Sequence, residues 1–470
     1  MPVRDSPPRT LLLYPSMDAS WARIRGGEVE IRRPSLGLQY VMAALDRAGY
    51  PFAFRDQVVQ GVSADSLVRE VARGGIDVVG IHANVMSRDR VRGFIRELKA
   101  RAPVPVLVGG PGSLEGRIYL DAGADAVCVG EAAPRIVALV DALAANGRLD
   151  GIPGVWSRDA AGEVRAPTPV PRLEDLDGLP FPYRPKELVP LYSEPVNPAQ
   201  RGTYVSLIAS RGCPFRCAFC TSHAWWGREV RARSPRNVVD EIESLLGEWT
   251  RPYLAFVDDV FGVSASWVSE LCELILSRGL RFSWECILHP LSFSSGPEPV
   301  LALMRRAGCN CVSFGAQSSS PVILRNVQRS AREPEELAER LRICKKLGML
   351  TIATFIFGLP GEDQGTMEES LSWALRRSPH LADFHPLVVL PHSPIATEYA
   401  GREITRLSER EIERKCADAF RRFYFRPATW VTLLRFIVAE NPSFLIRVFR
   451  PLARLLSLIV SRRPSEPSAS

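Results

Sequence analysis

No stretch of the 470 residues stays apolar for the ~20 positions that a membrane-spanning helix needs. The opening Met1-Pro2-Val3-Arg4-Asp5 lacks the apolar core of a secretory signal. The ten cysteines lack the dense, regular spacing of a disulfide-stapled fold; seven are isolated, mostly in apolar segments where a free thiol acts as a small hydrophobe. These absences set the expectation of a cytoplasmic protein in a reducing compartment. A basic surplus on the main body is missing too. The net charge of +7 is matched by the last fifty residues alone, where nine Arg face only Glu440 and Glu466. The rest is neutral, so no nucleic-acid partner is expected. Internal repeats and low-complexity tracts are absent as well.

What is there is a globular composition, 46% hydrophobic and 24% charged, in a chain too long for one ordinary domain. Residues 1–150 alternate β-rich runs (Thr10–Pro15, Pro51–Asp56, Asp77–Ala83, Val104–Gly109 and Ala124–Gly130) with amphipathic stretches of helical period. That alternation predicts an α/β domain, a doubly wound, Rossmann-like parallel sheet. Residues 151–202 carry ten prolines and read as a linker with at most a hairpin at Val155–Arg165. Residues 203–405 repeat the alternation with six strands: Tyr204–Ala209, Tyr253–Asp258, Phe282–Leu288, Cys311–Gln317, Leu350–Phe357 and Asp383–Leu390. Six such units predict a partial (β/α)6 barrel of TIM type, with chemistry at the C-terminal ends of the strands. Residues 406–470 read as a helical, basic C-terminal segment. Its interleaved Arg and apolar residues suit a peripheral membrane contact, packing back on the barrel, or a partner.

Directly after the first barrel strand stands Cys213-Pro-Phe-Arg-Cys217-Ala-Phe-Cys220, a C-x3-C-x2-C loop. Three thiolates in one loop can hold an iron–sulfur cubane and leave one iron open to an outside ligand. The alternative is a closed zinc site completed by His223, but structural zinc usually pairs two knuckles and no second knuckle is present.

With this loop the chain resembles the radical S-adenosylmethionine (SAM) superfamily over roughly residues 200–400. Phe219 matches the aromatic that flanks the adenine in that family. Phe256-Val-Asp258-Asp259 stands where the second-strand motif lies. Ser313-Phe-Gly315-Ala-Gln317-Ser318 is similar to the fourth-strand ribose motif, with Gln317 replacing the commoner Glu. Phe355-Ile-Phe-Gly358-Leu-Pro360-Gly361-Glu362 matches the fifth-strand motif closely, and Leu390-Pro391-His392 occupies the sixth-strand turn. The resemblance implies a [4Fe–4S] cluster on Cys213, Cys217 and Cys220. It implies SAM contacts at Phe219, Asp258, Asp259, Gln317, Gly358, Glu362 and Pro391, an electron donor such as flavodoxin or ferredoxin, and a 5′-deoxyadenosyl radical that abstracts hydrogen from a small-molecule substrate. For the acidic and amide residues, capping of strand and helix ends is the competing role.

The first domain resembles the cobalamin-binding domain of one radical SAM subfamily, through Pro34-Ser35-Leu36-Gly37-Leu38, Val108-Gly109-Gly110-Pro111 and Gly130-Glu131. Gly109, Gly110 and Gly130 are the candidate cobalamin contacts, since a glycine turn at a strand end lets a large ligand approach the backbone. No D-x-H-x-x-G occurs to mark a cobalt ligand, and Gly112 stands where relatives often carry His. The resemblance implies C-methylation of a natural-product intermediate, as in antibiotic biosynthesis. A radical dehydration or rearrangement, such as an aminoglycoside or polyol deoxygenation, is the alternative. Pocket candidates are Trp284, Glu285 and His289 on and after the third barrel strand; alternation puts Trp284 and Glu285 on opposite faces. The Trp225-Trp226 pair either closes over a ligand or packs the cluster loop.

Overall fold

The structure, a computed structural model, describes residues 6–18, 32–145, 149, 151–194, 197–262 and 264–445. The end of the segment expected to be helical, residues 446–470, lies outside these residues.

The first sheet contains β1 (Thr10–Tyr14), β2 (Phe52–Asp56), β3 (Val78–His82), β4 (Val106–Gly109) and β5 (Ala126–Cys128), parallel in the order β2-β1-β3-β4-β5. In this order successive connections diverge to opposite edges at β1 and β3, which opens a crevice at the strands' C-terminal ends. Both faces are buried, one under Leu67, Ile95 and Leu98, the other under Met42, Leu45 and Leu139. Helix Leu36–Arg47 starts where Ser35 accepts the Leu38 N–H, so its first turn opens at the crevice. The hairpin β6 (Val155–Arg158) and β7 (Val164–Arg165) is not free-standing, because β6 pairs antiparallel with β5 and extends the sheet past residue 150.

The second sheet begins with β8 (Tyr204–Leu207). A short antiparallel pair, β9 (Ser210–Arg211) with β10 (Arg231–Ala232), brackets the cysteine loop. Then come β11 (Tyr253–Phe256), β12 (Ser283–Leu288), β13 (Cys309–Gln317), β14 (Leu350–Phe357) and β15 (Leu381–Pro386), joined to β8 in sequence order as six parallel strands. The last strand stops earlier than expected; Pro386 stands on the open edge of the sheet, and past it the Leu387 N–H still donates to Phe357 O at 2.7 Å. Alternate residues such as Leu207, Leu254, Trp284, Val312 and Phe355 pack outward against the helices, while Tyr204, Tyr253, Ala255 and Cys311 face inward. At the N-terminal end of the strands, helix Pro427–Glu440 closes the floor with Leu433, Phe436 and Ile437. Helix Glu409–Tyr424 lies on β15, its Ile412, Cys416 and Phe423 joining the outer core. As far as it is described, the C-terminal segment packs back on the barrel.

Candidate functional site: two adjoining cofactor sites

Beyond β9, Gly212 turns the chain with φ +95°, and a Cβ there would fall 2.4 Å from Glu229 O, so only glycine serves. The loop is pinned by the Ala218 N–H donating to Val327 O at 3.0 Å. Burial pushes the Cys213 thiol up to about 11, with Cys217, Asp259 and Cys220 adding to the shift, so the three thiols share one environment. Among the described residues no group of three or more His, Cys, Asp or Glu converges as a site for a single metal ion. Three partly buried thiols on one loop are the donor set of a cubane with one iron left open. Two N–H groups already point at sulfur: Ser222 N lies 3.4 Å from Cys220 Sγ, and Arg329 Nη1 lies 3.8 Å from Cys217 Sγ. Hydrogen bonds to cluster sulfurs help set the reduction potential. Arg329 is held by Glu333 at 2.7 Å and donates to Gly315 O at 2.8 Å. No periodicity or motif had singled it out.

His289 supports this loop from below rather than facing a substrate. Its ring stacks on Phe215 at 3.5 Å, and its Nδ1 accepts the Leu291 N–H, which leaves the proton on Nε2. Burial, then the Arg329 and Arg340 cations, push it down to about 2, so it is neutral. Trp284, expected in the pocket, is corrected by the structure: it is fully buried on the helix side of the sheet. There it packs against Phe256 and Phe261 and donates its indole N–H to Ala307 O at 2.9 Å. Period-two alternation turns Glu285 inward instead. Its carboxylate accepts from Asn197 Nδ2 at 2.5 Å and Tyr253 OH at 3.0 Å. Burial, then Glu194, raise it to about 7.

The expected SAM contacts divide into two kinds. Asp258 turns its carboxylate on the chain itself, accepting from Ser210 N at 2.5 Å, Ser210 Oγ at 2.6 Å and Ala209 N at 3.2 Å; burial still raises it to about 6. It ties the ends of β8 and β11 together. Glu362 accepts from Gly358 N at 2.6 Å and Leu359 N at 3.0 Å, which closes the turn that Gly358 opens at φ +91°. It does not cap the following helix; Asp363 does. Phe219 packs in the small cluster of Ala218, Ile323, Val327 and Leu359. Asp259 and Gln317 remain directed at the strand ends. Asp259 is exposed beside the cysteine loop and accepts from Ser222 Oγ at 2.6 Å. Gln317 sits at a bulge of β13 with φ +63°, its buried Oε1 without a partner. A strained non-glycine residue carrying an orphan acceptor is what a ligand-binding position looks like before the ligand arrives. Pro391 is half-buried in the loop after β15.

The second site is a cavity of about 230 Å³ at the switch point of the first sheet. Gly109 at the end of β4 and Gly110 after it, Gly130 and Glu131 after β5, and Leu38 line it, together with His82 at the end of β3. Gly110 has φ +87°, and a Cβ there would lie 2.7 Å from Ala83 O. Gly80 makes room lower down, where a Cβ would meet Leu12 at 2.8 Å. His82 keeps its buried Nδ1 without a partner, and burial pushes it down to about 4, so it is neutral. A slot cleared of Cβ atoms, apolar along Leu12, Leu107 and Ile136 and carrying one orphan polar atom, fits one arm of a large ligand such as cobalamin. Its remaining wall comes from the barrel: Arg211, Trp225 and Trp226. Arg211 lies between the rings of Tyr40 (5.1 Å) and Trp226 (5.3 Å), and it shares Glu131 with Arg231 at 2.9 and 3.0 Å. Arg211 stands two residues before Cys213, so one ion-paired wall separates this cavity from the cysteine loop.

A partial barrel with three loop cysteines, joined to a doubly wound domain with a glycine-cleared crevice, defines a two-cofactor enzyme. Residues 207–374 match the family model "Radical SAM superfamily" and residues 22–140 match "B12 binding domain". The chain therefore carries a radical SAM domain behind a B12-binding domain. These two domains imply a [4Fe–4S] cluster and SAM in the barrel and cobalamin on the first sheet. An uncharacterized methyltransferase of Pyrococcus horikoshii is 27% identical over 443 residues, 93% of this chain and 91% of that one. An anaerobic magnesium-protoporphyrin IX monomethyl ester cyclase of Rubrivivax gelatinosus is 27% identical over 403 residues, 84% of this chain and 70% of that one. Among solved structures, the radical SAM methyltransferase TsrM from Kitasatospora setae superposes with a TM-score of 0.68 at 20% identity, covering 84% of this chain and 75% of its own; this likeness shows the fold.

Proposed function

We propose that the protein methylates carbon in a small-molecule natural-product intermediate, using SAM and cobalamin together. The observation that carries this reading is the shared wall. Arg211, Trp225 and Trp226 complete the cavity of the B12-binding domain and belong to the segment that holds Cys213, Cys217 and Cys220. Loaded, the cluster supplies the electron that cleaves SAM to a 5′-deoxyadenosyl radical, and cobalamin supplies a methyl group.

The chain's own residues do the rest. Arg329 and Ser222 direct N–H groups at two of the thiolates. Gln317 and Asp259 offer acceptors at the strand ends, with Phe219, Gly358, Glu362 and Pro391 shaping the surrounding turns. Ile287, inward and exposed next to Glu285, gives the substrate region an apolar side. Glu285 holds or releases a proton near neutral pH beneath it. In this reading the chain divides into a cobalamin-binding domain (1–150), whose sheet the hairpin Val155–Arg165 extends, a linker (151–202 apart from that hairpin), a barrel (203–405) and a C-terminal segment (406–470). The same reading places the protein in the cytoplasm, with a flavodoxin or ferredoxin as reductant and the C-terminal tail as the candidate membrane contact.

A second reading, radical dehydration or rearrangement with cobalamin idle, is favoured by the same Glu285: a carboxyl near neutrality inside the barrel suits proton transfer to a departing hydroxyl. Metal analysis of protein purified anaerobically from cobalamin-fed cells separates the two. About one cobalt beside four irons per chain supports methylation. Four irons without cobalt, under conditions that load other cobalamin enzymes, turn the assignment to the second reading.

A further inference from the structure

At the end of the barrel opposite the cysteine loop, two features lie side by side that the proposed chemistry does not use. The first is helix Pro427–Glu440. It buries Leu433, Phe436 and Ile437 against the barrel floor, yet its other side is also apolar: Trp430, Val431, Leu434 and Val438 form a stripe at helical spacing. Val438 is 62% exposed, and Phe425, just before the helix, is 82% exposed. A helix apolar on both sides is ordinarily covered on both, and an exposed stripe of this kind marks an interaction surface. The second feature is a cavity of about 410 Å³ among the N-terminal ends of the strands, lined by Arg201, Arg251, Arg281 and Arg306. Arg201 is paired with Glu440 at 2.8 Å, which puts the cavity beside the end of the helix. The other three are exposed and have no ion-pair partner among the described residues.

We infer that this floor is a docking face for an anionic phospholipid surface, with the stripe entering the acyl boundary and the arginine cavity receiving headgroup phosphate. Apolar residues and unpaired arginines on one face satisfy both parts of such a surface. A second copy of the chain would satisfy the stripe but not the charge, because a two-fold contact would set the same unpaired Arg251, Arg281 and Arg306 of each copy against each other. The face lies away from the cysteine loop and the switch-point cavity, so docking leaves both open to solvent. The inference is independent of the reaction assigned above.

Its test is co-sedimentation of the full-length protein with vesicles of phosphatidylcholine alone and of phosphatidylcholine with about a third phosphatidylglycerol. Three proteins are compared: wild type, Leu434→Glu/Val438→Glu, and Arg251→Glu/Arg281→Glu. The expected result is binding to the anionic vesicles only, weakened by salt and reduced at least about tenfold in each double variant. Circular dichroism and iron content should be unchanged in both variants. Failure to bind anionic vesicles overturns the inference. So does equal binding to neutral vesicles, which would make it merely apolar adsorption. Full binding by both variants also overturns it and assigns the contact to the tail alone. A dimer in light scattering that Leu434→Glu/Val438→Glu dissolves, without vesicle binding, assigns the face to self-association instead.

Discussion

At the scale of single residues, the site separates groups that await a ligand from groups that hold the frame. Cys217 belongs to the first kind: Cys217→Ala should abolish both the cluster's visible absorbance and SAM cleavage while far-ultraviolet circular dichroism stays native, and retained cleavage would remove the cluster from this loop. Glu285 carries a pH signature. Its folded value, about 7, lies above its ordinary 4.5, so ionising it costs the folded chain free energy. The cost is absent below the ordinary value, grows through the interval and is complete above about 7. The melting temperature of Glu285→Gln relative to wild type should therefore rise between about pH 5 and about pH 8; a difference independent of pH would show that Glu285 is ionised throughout. The sequence made the cysteines legible because their spacing is itself the chemistry. It left the face of the third strand open: alternation told Trp284 from Glu285 but not which side was the lumen. Arg329 stayed hidden because a lone arginine after a helix has no pattern, and only folding brings it beside Cys217.

At the scale of elements, strands were readable wherever the alternation was regular, as in β14, observed over the expected Leu350–Phe357. Less legible were the ties between elements. Asp258 and Glu362 read equally well as cofactor ligands, and the structure shows their carboxylates engaged with Ser210 and with Gly358 and Leu359. The buried trio of Glu241 with Arg184 and Arg233 was not visible at all; it fastens the linker to helix Pro235–Glu248. Removing the shared anion leaves two arginines buried without a counter-charge. Glu241→Gln should cost about 3–5 kcal/mol, read from denaturant unfolding. A loss under about 1 kcal/mol would show that water already screens the trio. The turn after β4 makes a complementary prediction. Gly110→Val, which would drive a side chain onto Ala83 O and the His82 ring, should abolish cobalamin binding in a spectral titration while iron content is unaffected.

At the scale of the whole molecule, both sheets present the C-terminal ends of their strands to a common wall. Glu131, from the first domain, joins it to Arg211 and Arg231 of the barrel segment. Glu131→Ala should weaken hydroxocobalamin binding at least about tenfold with the cluster intact; an unchanged affinity would mean that the wall is held by Tyr40 and Trp226 packing alone. This wall could not be read in advance, because it is made by two segments about eighty residues apart meeting across a domain boundary. It is also why the two cofactors belong to one reaction in this account. The most direct test of that claim is to count both SAM-derived products per methylated product in an anaerobic assay with methyl-labelled SAM. Joint use predicts one 5′-deoxyadenosine and one S-adenosylhomocysteine for each label transferred. 5′-Deoxyadenosine formed with product but without S-adenosylhomocysteine or label would contradict it, leaving the radical to act without the methyl carrier.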